Sequence, residues 1–183
     1  MISGERVRLR AMEKDDLPRF VAWLNDPEVR RNLLIYQPLS LIQEEKWYEG
    51  ILKQPIDEQP LCIDVKTASG WEHAGNTSFF ELNQHDRSAE IGIFIGRKDF
   101  WNQGYGTESM RLMVGHGFRD LNLNRIYLHV FETNPGGIRS YEKAGFIYEG
   151  RLREARFHEG KYIDLIMMGI LKSDWQKENG DKS

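Results

Sequence analysis

The sequence predicts one α/β (α+β) domain, built on a mixed, mostly antiparallel, twisted sheet of about seven strands, with helices on its flanks and a βαβ unit at its centre. Three observations predict it. Segments in which apolar residues alternate with period two recur from Glu5 to Leu171. The clearest helical stripe, Met110, Met113, Val114, Gly117, Phe118 and Leu121, stands between two such segments. The 183 residues show no composition break, low-complexity stretch or internal repeat, which fits a single domain over residues 1–172 with a flexible tail over 173–183.

Glu5 to Arg10 alternates charged residues with Val7 and Leu9, so the first element is a half-buried strand. Asp15 or Asp16 caps the next helix and Pro18 fits its first turn. Leu17, Phe20, Val21 and Leu24 form its apolar stripe, and it ends near Asn25, Asp26 and Pro27. After a loop, Ser40 and Gln43 have capping-box spacing for a second helix running through Trp47 and Ile51 toward Pro55. Leu61 to Lys66, Ala74 to Leu82 and Ser88 to Gly96 read as an antiparallel meander, with turns around Ser69, Gly70 and residues 83–87. A helix starting near Thr107 leads to the strand Arg125 to Phe131, which the crossover rule sets parallel to the strand before that helix. Asn134 and Pro135 supply the N-cap and first position of a short helix that Gly145 ends. Two last strands, Leu152 to Phe157 and Tyr162 to Leu171, flank a turn at His158 to Lys161.

Composition narrows the function. A 40% hydrophobic and 11% aromatic content suffices for a substantial core, and 29% charge keeps the surface soluble. The net charge of −3, with basic residues dispersed, lacks the footprint of a nucleic-acid binder. No run of about 18 apolar residues suggests a membrane span. Cys62 is the only cysteine, so no intramolecular disulfide forms, and Met1 to Arg10 lacks the apolar stretch of a signal peptide; a cytoplasmic location is expected. The five histidines lack metal-ligand spacing and Cys62 has no partner that would mark a nucleophile, so neither a metal nor a covalent enzyme intermediate is expected.

The strand Ile91 to Gly96 is followed closely by Gly104, Tyr105, Gly106 and Thr107 at a helix start. Glycines let backbone approach a polyanion, and unpaired amides at a helix N-terminus suit phosphate oxygens, so a pyrophosphate is the natural ligand. Two glycines can also merely shape a loop. No Lys-Ser or Lys-Thr pair follows them and no third glycine completes a dinucleotide fingerprint, which disfavours a nucleoside triphosphatase or dehydrogenase.

Gln103, Gly104, Tyr105, Gly106, Thr107 and Glu108, followed by Asn134, Ile138, Tyr141, Glu142, Lys143, Gly145 and Phe146, resemble the GNAT superfamily of N-acetyltransferases. The similarity extends over Arg6 to Leu171. It is closest to the branch of ribosomal-protein N-terminal and spermidine acetyltransferases, which Trp23, Asn25, Asp26, Pro27, Glu28 and Val29 also resemble. The resemblance implies acetyl-CoA as donor, with its pyrophosphate on the turn and splayed parallel strands beside it. Phe94 or Ile95 supplies an oxyanion amide, and Asn134 contacts the pantetheine arm unless it is a plain helix cap. Tyr141 matches the family's general acid, though it could also pack on the core face of its helix. Family turns commonly begin with Gln or Arg where this chain has Trp101, which weakens one side-chain contact.

The transfer needs a neutral nucleophile, a stabilised oxyanion and an exit for thiolate. Glu90 is the candidate base, directly or through water, or else a solvated carboxylate or partner for Arg87; His129 reads as a packed or hydrogen-bonded core residue rather than a catalytic one. At pH 7 an α-amine costs about 1.4 kcal/mol to deprotonate and a lysine-like amine about 4.6 kcal/mol, so a polyamine depends on a base more than a protein N-terminus does. Asp26, Glu28, Arg30, Arg31, Asn32 and Tyr36 mark the expected location of the acceptor, a small-molecule amine or a protein N-terminus. A homodimer is compatible with this reading. The competing readings are a catalytically inactive CoA-binding sensor and a nucleotide held in the same turn.

Overall fold

The computed structural model describes residues 1–180; the end of the expected tail, residues 181–183, lies outside the described residues. Eight strands form one sheet: β1 (Ile2–Ser3), β2 (Val7–Ala11), β3 (Leu61–Thr67), β4 (Gly70–Asn83), β5 (Ser88–Ile95), β6 (Arg125–Phe131), β7 (Ile147–His158) and β8 (Lys161–Leu171), in the order β1-β2-β3-β4-β5-β6-β8-β7. The strand beyond the expected count is β1, a two-residue edge piece too short to show alternation. Every pairing is antiparallel except β5 with β6, which runs parallel over Ser88 to Glu90 against Arg125 to Tyr127 and then stops. Past Glu90 the two strands separate, as the family resemblance implied.

The helices are α1 (Leu17–Leu24), α2 (Pro27–Arg30), α3 (Leu41–Ile51), α4 (Tyr105–Arg119), α5 (Pro135–Lys143) and α6 (Lys172–Asn179). Ser40 and Gln43 close a reciprocal capping box on α3, as their spacing predicts. Two elements depart from the sequence reading. The loop expected after α1 contains α2, capped by Asp26, whose carboxylate accepts from Glu28 N at 2.8 Å; Asp26-Pro27 begins a helix as well as ending one. Residues 173–179, expected to be free, continue α6, and Trp175 packs beside Phe118 and under Arg119. One apolar ring is enough to anchor a two-turn helix.

α4 supplies the main contact with the sheet. Met110, Met113, Val114 and Phe118 are buried against Phe79, Ile91, Ile126 and Leu128. Gly117 allows the close approach: a Cβ there would meet Ile126 Cδ1 at 2.8 Å and the Phe79 ring at 2.9 Å. On the other side, Leu17, Phe20 and Leu24 of α1 close over Cys62, with Tyr48 of α3 and Phe94 of β5 packed against them. Asp16 does not cap α1 with its side chain. It is 4% exposed and takes Arg10 at 2.7 and 2.8 Å, while Arg10 also reaches Asp64 at 3.0 Å. Burial opposes its charge, but the hydrogen bonds from Arg10 prevail and hold the carboxyl well below the usual carboxylate range.

Candidate active site

The separation of β5 from β6 opens a cleft of about 1410 Å³ that runs from the start of α4 past β5 to α3. At one end of it lies the turn before α4. Asn102 (φ 59) and Gly104 (φ 86) both take left-handed conformations there, so successive amides bend into a concave nest at a helix N-terminus. A Cβ on Gly104 would meet nothing closer than Arg6 Nη2 at 3.4 Å, and one on Gly106 would face Ser140 Oγ at 3.6 Å. The surroundings are therefore open, as the approach of a pyrophosphate to backbone requires. Arg6 braces the turn from outside: its guanidinium donates to Gln103 O at 3.2 Å, pairs with Glu108 at 3.1 Å and lies over Tyr105.

The predicted cofactor residues divide. Phe94, Ile95, Gly104, Tyr105, Gly106, Thr107 and Asn134 line the cleft. Gln103 turns away, its side-chain amide donating to Asp99 O. The Thr107 hydroxyl shares a hydrogen bond of 2.9 Å with Ser140, tying α4 to α5. Asn134 caps α5 by accepting from Gly137 N at 2.9 Å, which leaves its amide NH₂ as a donor on the cleft wall. Trp101, the departure from the family pattern, donates its indole N–H to Ile95 O at 2.7 Å. Gly96 N donates to Ala74 O of β4, so by strand alternation the Phe94 amide also faces β4 and the Ile95 amide faces the open side, where Trp101 holds the neighbouring carbonyl.

Tyr141, on α5, lines the cleft, and burial pushes its phenol up to about 12. Glu90 does not pair with Arg87; it stands at the last position of β5 paired with β6 and accepts from His129 Nδ1 of β6 at 2.8 Å. A carboxylate accepts, so His129 donates from Nδ1, and in the neutral ring this puts the lone pair on Nε2. Both groups line the cleft. Sequence alternation places each residue on its strand, but only the β5–β6 register makes them neighbours.

Of the residues expected around the acceptor, Glu28 and Asn32 line the cleft. Asp26 caps α2 and pairs with Lys98 at 2.8 Å, and Arg31 pairs with Glu159 at 3.4 Å. Leu33, Leu34, Ile35 and Leu39 extend that wall, and α3 completes it with Gln43, Glu44, Trp47 and Ile51.

The fold also brings Asp16, Cys62 and His73 together, with ligand-type atoms within 4.8 Å of one another, a grouping that sequence spacing conceals. These donors do not suit a metal: both Asp16 oxygens are engaged by the Arg10 guanidinium, and burial pushes the Cys62 thiol up, which keeps it protonated.

The strand pair thus parts beside a glycine-opened helix, and a phenol and a carboxylate–imidazole pair lie along the same cleft. A model of the GNAT acetyltransferase domain matches residues 6–147, and the chain belongs to that family of acetyl-CoA-dependent N-acetyltransferases. Among particular relatives, the spermidine N(1)-acetyltransferase of Vibrio cholerae serotype O1 is 32% identical over 176 residues, covering 94% of this chain and 96% of the relative. A putative ribosomal N-acetyltransferase, YdaF of Bacillus subtilis, is 33% identical over 104 residues, 57% of this chain and 56% of the relative. The crystal structure of spermidine N-acetyltransferase from Vibrio cholerae in complex with CoA and spermine superposes with a TM-score of 0.84 at 29% identity, covering 94% of this chain and 99% of that one. Among the described residues no helix is long and apolar enough to cross a membrane.

Proposed function

We propose that this N-acetyltransferase acts on a strongly basic primary amine of the polyamine class, with Glu90 and His129 together as its base and Tyr141 as its acid. The observation that carries the reading is the Glu90–His129 hydrogen bond at the point where β5 and β6 part. A lysine-like amine costs about 4.6 kcal/mol to deprotonate at pH 7, and a carboxylate-oriented imidazole supplies the acceptor that a protein N-terminus needs far less. The relatives named for spermidine acetylation support the same class.

His129 Nε2 takes the amine proton while Glu90 fixes the ring and offsets the charge it gains. The nitrogen forms its bond to the acetyl carbon as the carbon–sulfur bond breaks. The Ile95 amide faces the negative charge that gathers on the acetyl oxygen, and Tyr141 delivers a proton to the departing sulfur. The products are the N-acetyl amine and CoA thiol: of the two protons the ammonium nitrogen gives up, His129 passes one to solvent, and the second, lost as the amide forms, returns through water to Tyr141. The turn at Asn102 to Gly106 and the Asn134 amide hold the donor. Incubation with acetyl-CoA and spermidine should yield acetylspermidine. Turnover with unstructured peptides but not with spermidine would assign the acceptor to protein N-termini instead.

A further inference from the structure

Glu44 is a carboxylate to which the chemistry above gives no task. It lies on α3, is 5% exposed, and lines the acceptor end of the cleft beside Trp47, Ile51 and Leu39. Burial alone moves its carboxyl, upward, with no hydrogen bond or neighbouring charge contributing. The helix start does not need it, because Ser40 and Gln43 already satisfy the capping box. The Glu44 oxygens are not sealed from solvent, so the carboxylate opens on the cleft, where it can receive a cationic ligand. Glu44 precedes Tyr48 by one helical turn, about 5.4 Å along the axis, on the same face. Tyr48 and Phe94 pack on one buried cluster, and Phe94 adjoins Ile95. The carboxylate therefore faces the cleft within a few side-chain lengths of the reacting end of β5. The basic residues lining the cleft, His129, Arg139, Lys143 and Arg156, lie on β6, α5 and β7 rather than on α3.

We propose that Glu44 binds the distal ammonium of a diamine acceptor and so selects amines that carry a second cationic nitrogen. This rests on the amine-acetylation reading and adds a specificity residue to it. A carboxylate on a packed helix stands at a fixed distance from the reacting nitrogen, so it discriminates by the number of methylenes between the two nitrogens. It makes no demand on the donor.

The test compares wild type, Glu44→Gln and Glu44→Leu with butylamine, 1,4-diaminobutane and spermidine at saturating acetyl-CoA. A charge-assisted hydrogen bond implies that Glu44→Gln raises KM for the diamine and spermidine roughly 10- to 100-fold, with kcat and the butylamine KM unchanged within about twofold. Butylamine turnover shows that each variant is folded. Equal effects on mono- and diamines, or no effect of Glu44→Gln, overturn the assignment. Calorimetric titration of 1,4-diaminobutane into the CoA-saturated protein reads Glu44 without turnover: affinity lost in Glu44→Gln supports it, and affinity retained overturns it. Absence of acetyl transfer by wild type overturns the amine-acetylation reading instead, and the titration still decides Glu44.

Discussion

Replacing Tyr141 with Phe removes a hydroxyl and leaves the ring that packs beside Phe146. Burial pushes this phenol up to about 12. Against an aqueous thiolate near 8.5, a complete proton transfer would be uphill by about 4.8 kcal/mol. On the proposed role, Tyr141 would give up its proton only as the carbon–sulfur bond breaks, where the burial that raises the phenol would also raise the basicity of the departing sulfur. General acids of this kind contribute roughly 10²- to 10⁴-fold, so Tyr141→Phe should lower kcat by that range and leave the Kd for CoA within about twofold. The sign of the pH dependence follows from the same shift. The protonated phenol is the active form and persists below its raised pKa, so kcat should show no falling alkaline limb up to about pH 10. Stopped assays of CoA release across pH 6 to 10, for wild type and variant, measure both quantities. An unchanged kcat in Tyr141→Phe, or a falling limb near pH 8 to 9 that vanishes in the variant, would refute the role.

Gly104→Val forces a β-branched residue to φ 86, at a cost of roughly 1–2 kcal/mol, and closes the nest; CoA affinity by calorimetry should fall at least about tenfold, and intact affinity would remove the turn from the donor site. Trp101→Phe deletes the hydrogen bond to Ile95 O, worth roughly 0.5–1.5 kcal/mol, and should reduce kcat about 2- to 10-fold by loosening the strand end that carries the free amide; unchanged kcat would show that the strand holds itself. Asp16→Asn breaks a buried pair and should cost roughly 3–5 kcal/mol, lowering the melting temperature by roughly 6–20 °C. Because the folded state depresses the Asp16 pKa, its contribution is present above the unfolded value near 4 and is lost as pH falls toward the lower folded value. The melting deficit of Asp16→Asn should therefore be full at pH 7 and shrink in acid; a deficit constant down to pH 3 would contradict the ion pair.

Patterns within one element were legible in the sequence. The bounds of β6 agree with the alternation of Ile126, Leu128 and Val130, because one face of that strand is buried and the other meets the cleft. The capping box of α3 and the Asn134–Pro135 start of α5 are local chemistry and were read as such. Short elements escaped: α2 has four residues and no room for an apolar stripe, and α6 is held by Trp175 alone of its aromatic residues. What joins distant segments escaped too. His129 meets Glu90 across 39 positions, and Asp16 meets Cys62 across 46, through strand register and helix packing that no local spacing encodes. Trp101 looked like a lost contact because its value lies in where its indole points. No spacing marks Glu44, since burial of a carboxylate becomes visible only once α3 is packed on α1.

The most direct test of the central claim is a single assay in which the protein, acetyl-CoA and spermidine are mixed and free thiol and product mass are followed together. The account predicts one CoA thiol released per acetyl group gained by the amine, with turnover lost in Tyr141→Phe while CoA still binds. CoA binding without acetylated product, across polyamines, simple amines and peptide N-termini, would contradict it and leave a cofactor-binding module on this fold.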